Sequence, residues 1–174
     1  MNVLGIYAPE EGKKTETSVF YQTLQSVTDK LNKNEYLIIA GNFNARIGKT
    51  TITDIIGLHS EDVRNWNGDQ LRDFATFNNL RITNSFFPHK DIHKFTWSAR
   101  GSRSIIDYVL INNKLTAFIH DKKVYRGFDI HSDHFLVVSS LNILVTSIRY
   151  LYQQRMDKIL ERSQIQQSIT EEWQ

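Results

Sequence analysis

The sequence contains no cysteine, so disulfides and thiolate metal sites are excluded. Any metal must be held by oxygen or imidazole, and no partner can be joined through a disulfide. No apolar run approaches the ~18 residues that span a bilayer. The most apolar stretch, near 135–145, is interrupted by Ser139, Ser140 and Asn142. The opening MNVLGIYAPEEGKK has no basic segment leading into a long apolar one, so no signal peptide is visible. Repeats and low-complexity tracts are absent as well. The expectation is a soluble protein that is intracellular, nuclear or cytoplasmic, with no membrane partner.

Charge of one sign is also scarce: the formal net charge is +2, too little to argue for nucleic acid by itself. Its placement says more. Lys13, Lys14, Arg46, Lys49, Lys94, Arg100 and Arg103 fall in or beside expected loops, where cations suit a phosphate backbone. A solvated surface explains any one of them equally well.

What the chain does have is 174 residues, 40% of them hydrophobic and 23% charged, enough for one packed domain. The pattern alternates strand and helix. Strands are expected over Asn2–Ala8, Glu35–Gly41, Leu80–Ser85, Lys94–Trp97, Ile105–Asn112, Val124–Phe128 and His134–Asn142. Ser18–Leu31 reads as a helix burying Phe20, Leu24, Val27 and Leu31, and Gly68–Asn79 as a second burying Leu71, Phe74 and Ala75. From about Arg149 an amphipathic helical pattern takes over, carried by Tyr152, Met156, Ile159, Leu160, Ile165, Ile169 and Trp173. This divides the chain into a strand-rich body over 1–145 and a helical tail over 146–174.

Five clusters that could do chemistry stand at expected strand ends, where α/β folds place working residues. Tyr7-Ala8-Pro9 offers a phenol to a phosphate oxygen, or is a tyrosine beside a turn. Gly41-Asn42-Phe43-Asn44 puts two amides on one edge, or is an Asn-rich turn. Phe95-Thr96-Trp97 brings an indole that can stack on a base, or that packs in the rim. In RSIIDY, Asp107 sits among apolar residues and must be paired unless it faces water; a histidine is the natural partner. In Ser132-Asp133-His134, the carboxylate could ligate a hard metal and the imidazole could meet a phosphate.

Taken in order, Tyr-x-Pro, Gly-x-Phe-Asn, Thr-Trp, Ile-Asp-Tyr and Ser-Asp-His resemble the endonuclease/exonuclease/phosphatase superfamily. The stretches YAPEEG, LIIAGNFNARIG, NGDQLRDFATFNNLRITNSFF, KFTWSARGSRSIIDYVLIN and VYRGFDIHSDHFLVV resemble the apurinic-type endonuclease domain of RTE-like LINE (non-LTR) retrotransposons. The resemblance covers about residues 2–142, and the tail is similar to the linker before the reverse transcriptase of such elements. It implies a four-layer α/β/β/α sandwich of the DNase I-like type, truncated at its N-terminus, with Mg²⁺ (or Mn²⁺) as cofactor and double-stranded DNA as partner.

By the same resemblance, Tyr7 is the phosphate-contacting tyrosine and Asn44 helps position the nucleophile. Asp107 and His134 are the paired carboxylate and imidazole, and Asp133 is the metal-associated aspartate. Trp97 stands at the site edge, and Arg103 is the DNA-side arginine. Two departures are expected to matter. The family's Gly-Asp-Phe-Asn is Gly-Asn-Phe-Asn here, so Asn42 replaces the aspartate that activates or orients water. The family's glutamate metal ligand has no counterpart in the chain. The expected function is a metal-dependent DNA endonuclease, impaired or inactive in this chain. A non-catalytic nucleic-acid-binding module is the alternative. A small phosphate-ester phosphatase is the least favoured, because IIDYVLI differs from the Cys-Asp-Arg style of the inositol phosphatases.

Overall fold

In the computed structural model, residues 1–127, 131–143 and 153–157 are described. The chain divides into two compact units, Met1–Leu141 and Asn142–Gln174. Within the second, the described residues 153–157 are helical; the rest of the expected tail face, apart from Met156, lies outside the described residues.

The first unit is mixed α/β. Its main sheet has four strands in the order β1 (Asn2–Tyr7), β2 (Leu37–Asn42), β6 (Asp107–Asn112) and β3 (Leu80–Ile82). β1 and β2 are parallel, so the chain must cross over between them, and helix α1 (Lys14–Asp29) makes that crossover. The other two contacts are antiparallel. β6 buries Tyr108, Val109, Leu110 and Ile111 in succession, the signature of a strand covered on both faces.

One core lies between the sheet and α1 with α2 (Trp66–Phe77). Tyr21 and Leu24 of α1, and Leu71, Phe74 and Ala75 of α2, pack with Ile39, Ile82, Tyr108 and Leu110. Truncating a fully buried leucine here, such as Leu71, should cost about 2–5 kcal/mol. Two antiparallel pairs complete the unit: β4 (Trp97–Ala99) with β5 (Ser102–Ser104), and β7 (Ile119–Tyr125) with β8 (Leu136–Leu141).

Several expected boundaries move, each for a physical reason. α1 begins four residues before Ser18, and its buried stripe is Thr17, Tyr21, Leu24 and Thr28. Val27, expected inside, is exposed. Two threonines take core positions because their hydroxyls bond backward to the carbonyls of Lys13 and Gln25, leaving only methyl groups to pack. The strand expected at Ile105 starts at Asp107, since the Ile105 and Ile106 amides are taken by the Glu61 and Thr96 side chains. Lys94 follows a short turn at Asp91–His93, and the strand begins at Trp97. It pairs with the unforeseen β5 across Arg100-Gly101, both at positive φ as a tight hairpin turn requires. β7 starts at Ile119, not Val124. β8 starts at Leu136, not His134, because His134 leaves that ladder to bridge Trp97.

Candidate active site

The register of the main sheet sets the site. Tyr7 pairs with Asn42, and Asn42 pairs with Asp107. Three of the singled-out residues therefore form one row across the ends of β1, β2 and β6, with neighbouring strands ~4.8 Å apart. Cross-strand partners project to the same face, so phenol, amide and carboxylate share one side of the sheet. Tyr7 is 71% exposed, whereas Asn42 is 7% exposed.

On the Asp107 side the groups are charged. His134 Nδ1 lies 3.0 and 3.2 Å from the two carboxylate oxygens of Asp107, so the imidazole donates from Nδ1. Both side chains are largely covered. A ring fixed in that tautomer presents Nε2 outward, as a base when neutral and as a hydrogen-bond donor when protonated. The arrangement depends on two buried polar anchors. The Thr96 hydroxyl accepts the amides of Ile106 and Asp107 at 3.0 and 3.1 Å. The Asn84 side chain accepts the Val109 amide and donates to the Asp107 carbonyl. Thr96 also ties the histidine segment in, since its carbonyl accepts the Phe135 amide at 2.7 Å. Tyr108 braces the turn before Asp107 by donating to the Ile105 carbonyl at 2.6 Å, and burial pushes its phenol pKa well up. Asp133 accepts the Trp97 indole N–H at 2.6 Å and is about half exposed.

On the Asn42 side the groups are amides. Asn42 Oδ1 accepts the Asn44 amide at 2.7 Å, which leaves its Nδ2 as the free donor. Asn44 adopts a left-handed φ of 47°, which asparagine tolerates better than most residues, and donates to the Ala8 carbonyl. Beneath it lies the start of α2. Asn65 caps that helix, accepting the Gly68 amide at 2.8 Å and the Arg46 amide at 2.9 Å. Fully buried Asn67 donates to the carbonyls of Pro9 and Asn44, clamping the Tyr7 loop to the Asn44 loop. Gly68 is required there: a Cβ would lie 1.9 Å from the Arg46 carbonyl oxygen.

Arg103 lies apart from these contacts. Its guanidinium bonds Asp91 at 2.8 Å and stacks on the Phe95 ring at 4.2 Å, so it serves the β4–β5 hairpin. Other expected loop cations are also engaged. Arg46 pairs with buried Glu61, and Lys49 pairs with Asp62. Lys14, beside the loop as the first residue of α1, sits over the Trp66 ring.

A resident divalent ion does not fit this donor set. Among the described residues, no three Asp, Glu or His side chains converge to hold a metal. Asp107 faces His134, Asp133 faces the Trp97 indole, and position 42 offers a neutral amide. Among the described residues no helix is long and apolar enough to cross a membrane.

Sequence reasoning carried Thr96 only as a neighbour of Trp97 and missed Asn67 and Asn84 as builders of the site. The helix cap at Asn65 was detectable as an Asn ahead of an apolar-periodic run. Asn67 and Asn84 act through long-range bonds to backbone, which leave no local pattern.

Comparison with known proteins agrees with this architecture. Residues 1–138 match the family described as Endonuclease-reverse transcriptase. Craniofacial development protein 2 from Bos taurus is 30% identical over 149 residues, covering 82% of this chain. The chain spans 25% of that protein's length. Among solved structures, the endonuclease domain of TRAS1, a telomere-specific non-LTR retrotransposon, superposes with a TM-score of 0.56 at 21% identity, covering 79% of this chain and 56% of that one. The 3'-5' exonuclease NExo of Neisseria meningitidis superposes with a TM-score of 0.61 at 18% identity, covering 81% and 61% respectively. The ordered row of Tyr7, Asn42 and Asp107, the Asp107–His134 pair and the match over residues 1–138 together place the chain in the endonuclease–reverse transcriptase family, within the endonuclease/exonuclease/phosphatase fold.

Proposed function

We propose that this chain is a non-LTR-retrotransposon-derived DNA endonuclease domain that engages DNA phosphates but, with asparagine at position 42, hydrolyses them little or not at all. The observation that carries the reading is the Asn42–Asp107 register pair with His134 bonded to Asp107. The Tyr7 hydroxyl and Asn42 Nδ2 supply donors suited to phosphate oxygens, and His134 Nε2 adds a third when its ring is protonated. None of them requires a charged base. An aspartate at position 42 could keep the bond to the Asn44 amide with one oxygen and use the other to accept a proton from water. Asn42 retains the bond and loses the base, a deficit of about 10²–10⁴ in rate. The family's Mg²⁺ would need carboxylate ligands beyond those converging here. Such a domain would act on DNA inside the cell, nuclear or cytoplasmic.

Plasmid nicking with Mg²⁺ or Mn²⁺, with and without chelator, tests the catalytic half. No chelator-sensitive nicking is expected, and robust nicking would falsify it. Asn42→Asp alone should not create nicking, because it leaves Asp107 turned to His134 and Asp133 turned to the Trp97 indole. Titration of duplex DNA tests the binding half: affinity should fall steeply with salt and fall again in Trp97→Ala. Salt-independent or undetectable binding removes it. Asn42 also favours the second reading, a purely binding module. The two readings part if Asn42→Asp raises a trace activity that the parent chain already shows.

A further inference from the structure

Alternate residues of a strand share a face, and β7 buries one such row at Lys122 and Val124. Arg126, one residue beyond the strand, is next in that row, and there the row comes out into solvent: Arg126 is exposed. It stands where β7 meets the start of β8, next to the Tyr125–Leu136 pair.

A ring holds the side chain in place. The Arg126 guanidinium carbon lies 4.5 Å from the centroid of Phe135. Phe135 directly follows His134, and its amide donates to the Thr96 carbonyl at 2.7 Å. The hydroxyl of that same Thr96 accepts the Asp107 amide. Arg126 is therefore tied, through one aromatic platform, to the segment that carries the Asp107–His134 pair.

Other arginines are spent differently. Arg46, Arg64, Arg81 and Arg103 each pair with a carboxylate. Arg103 also stacks on a ring, that of Phe95, but Asp91 meets its charge. Among the described residues, Arg126 meets no carboxylate. The difference matters chemically. A carboxylate neutralises a guanidinium and occupies its N–H edge. An aromatic face fixes the plane and leaves both the charge and the edge donors free. A guanidinium so held is preset for the bidentate pairing that phosphate oxygens accept. Approach from the following residue is open as well: a Cβ on Gly127 would meet nothing within 4 Å.

We propose that Arg126 is a DNA-contacting residue: on its Phe135 platform, it grips a backbone phosphate neighbouring the one that reaches His134. The contact adds a charged anchor to a site whose Asn42 side is neutral. It rests on the reading of the chain as a DNA-binding nuclease domain.

The test uses the full chain and a short DNA duplex without metal, with affinity measured over a range of salt. Arg126→Gln should bind about eightfold more weakly at about 0.1 M salt, with a salt slope smaller by about one counterion. Arg126→Lys, which keeps the charge, should keep the parent slope. In the chain labelled with nitrogen-15 arginine, the Arg126 Nε–H resonance, assigned by its absence in either variant, should shift when duplex is added. If the stack serves only to hold the end of β7, Arg126→Gln lowers the thermal midpoint, the salt slope stays at the parent value and the resonance does not move; that result overturns the proposal. A parent chain that binds with a steep salt slope, matched by Arg126→Gln in both affinity and slope, overturns it while leaving the DNA-binding reading intact. A parent chain that binds no duplex removes both.

Discussion

The two halves of the site are built from different chemistry. Around Asp107 the contacts run through charge, with the carboxylate held against His134 Nδ1. Around Asn42, everything is neutral. Asn42, Asn44, Asn65 and Asn67 satisfy one another's loops through amide-to-backbone bonds. The charged half can move protons. The neutral half can only hold a shape. On the proposed reading, a single replacement at position 42 leaves the cleft without its base, while the fold sees an almost isosteric side chain.

The comparison breaks most forcefully at Gly68. Gly68→Ala places a methyl 1.9 Å from the Arg46 carbonyl oxygen, against backbone that cannot yield cheaply. The start of α2 must shift, and the Asn65 and Asn67 bonds go with it. The expected loss is about 4 kcal/mol, read as a lower urea midpoint with unchanged slope. If the neutral half is only a shape, the Asp107–His134 bond should survive in whatever fraction stays folded. A loss near zero would show that the loop is not anchored there.

Thr96→Val breaks the other half. It keeps the volume and removes the acceptor for two largely buried amides, at a cost of about 2–3 kcal/mol. Amide exchange should accelerate at Ile106 and Asp107 while the Asn44 amide stays protected. Equal acceleration at Asn44 would mean that the two halves open as one unit.

pH sharpens the contrast further. Lys122 titrates near 8 when folded and at about 10.4 when unfolded, so between those values the unfolded chain holds the extra proton. By linkage, stability rises with pH through this window. Below about 8 both states are protonated, and the burial cost is present in full. The gain should reach about 2 kcal/mol by roughly pH 9.5. Above that, buried Tyr21 and Tyr108, whose phenols are pushed up by burial, start to act in the opposite direction. Lys122→Met should flatten the rise, whereas Asn67→Ala should lower the whole curve without changing its slope. A rise that persists in Lys122→Met assigns it elsewhere.

Legibility followed the same division. The paired carboxylate was readable because Asp107 sits among Ile105, Ile106, Val109 and Leu110, where an ionised group demands a partner. The strand-end row was readable because apolar runs stop at Tyr7 and Asn42. Position 122 was not: a buried lysine inside a polar run looks like a solvated strand. Nor was the α1 stripe, since Thr17 and Thr28 count as polar in any periodicity while their hydroxyls are silenced by backbone bonds. Local pattern reports which residues avoid water. It does not report polar groups whose partners arrive from more than 20 residues away, as they do for Asn67 and Asn84.

The smallest effect is expected at Arg103, and it separates what binds DNA from what holds the fold. Its pair with Asp91 is half exposed on both sides, and such pairs contribute at most about 0.5 kcal/mol. Arg103→Ala should leave the thermal midpoint within about 1–2 °C of the parent chain. If the hairpin presents Arg103 to DNA, the variant should bind duplex more weakly and with a salt slope smaller by about one counterion. Breaking the Asp91 pair from the other side, with Asp91→Asn, frees the guanidinium and should strengthen binding. A matching loss of affinity in both variants would mean that the pair shapes the hairpin and that Trp97, not Arg103, is what the hairpin offers to DNA.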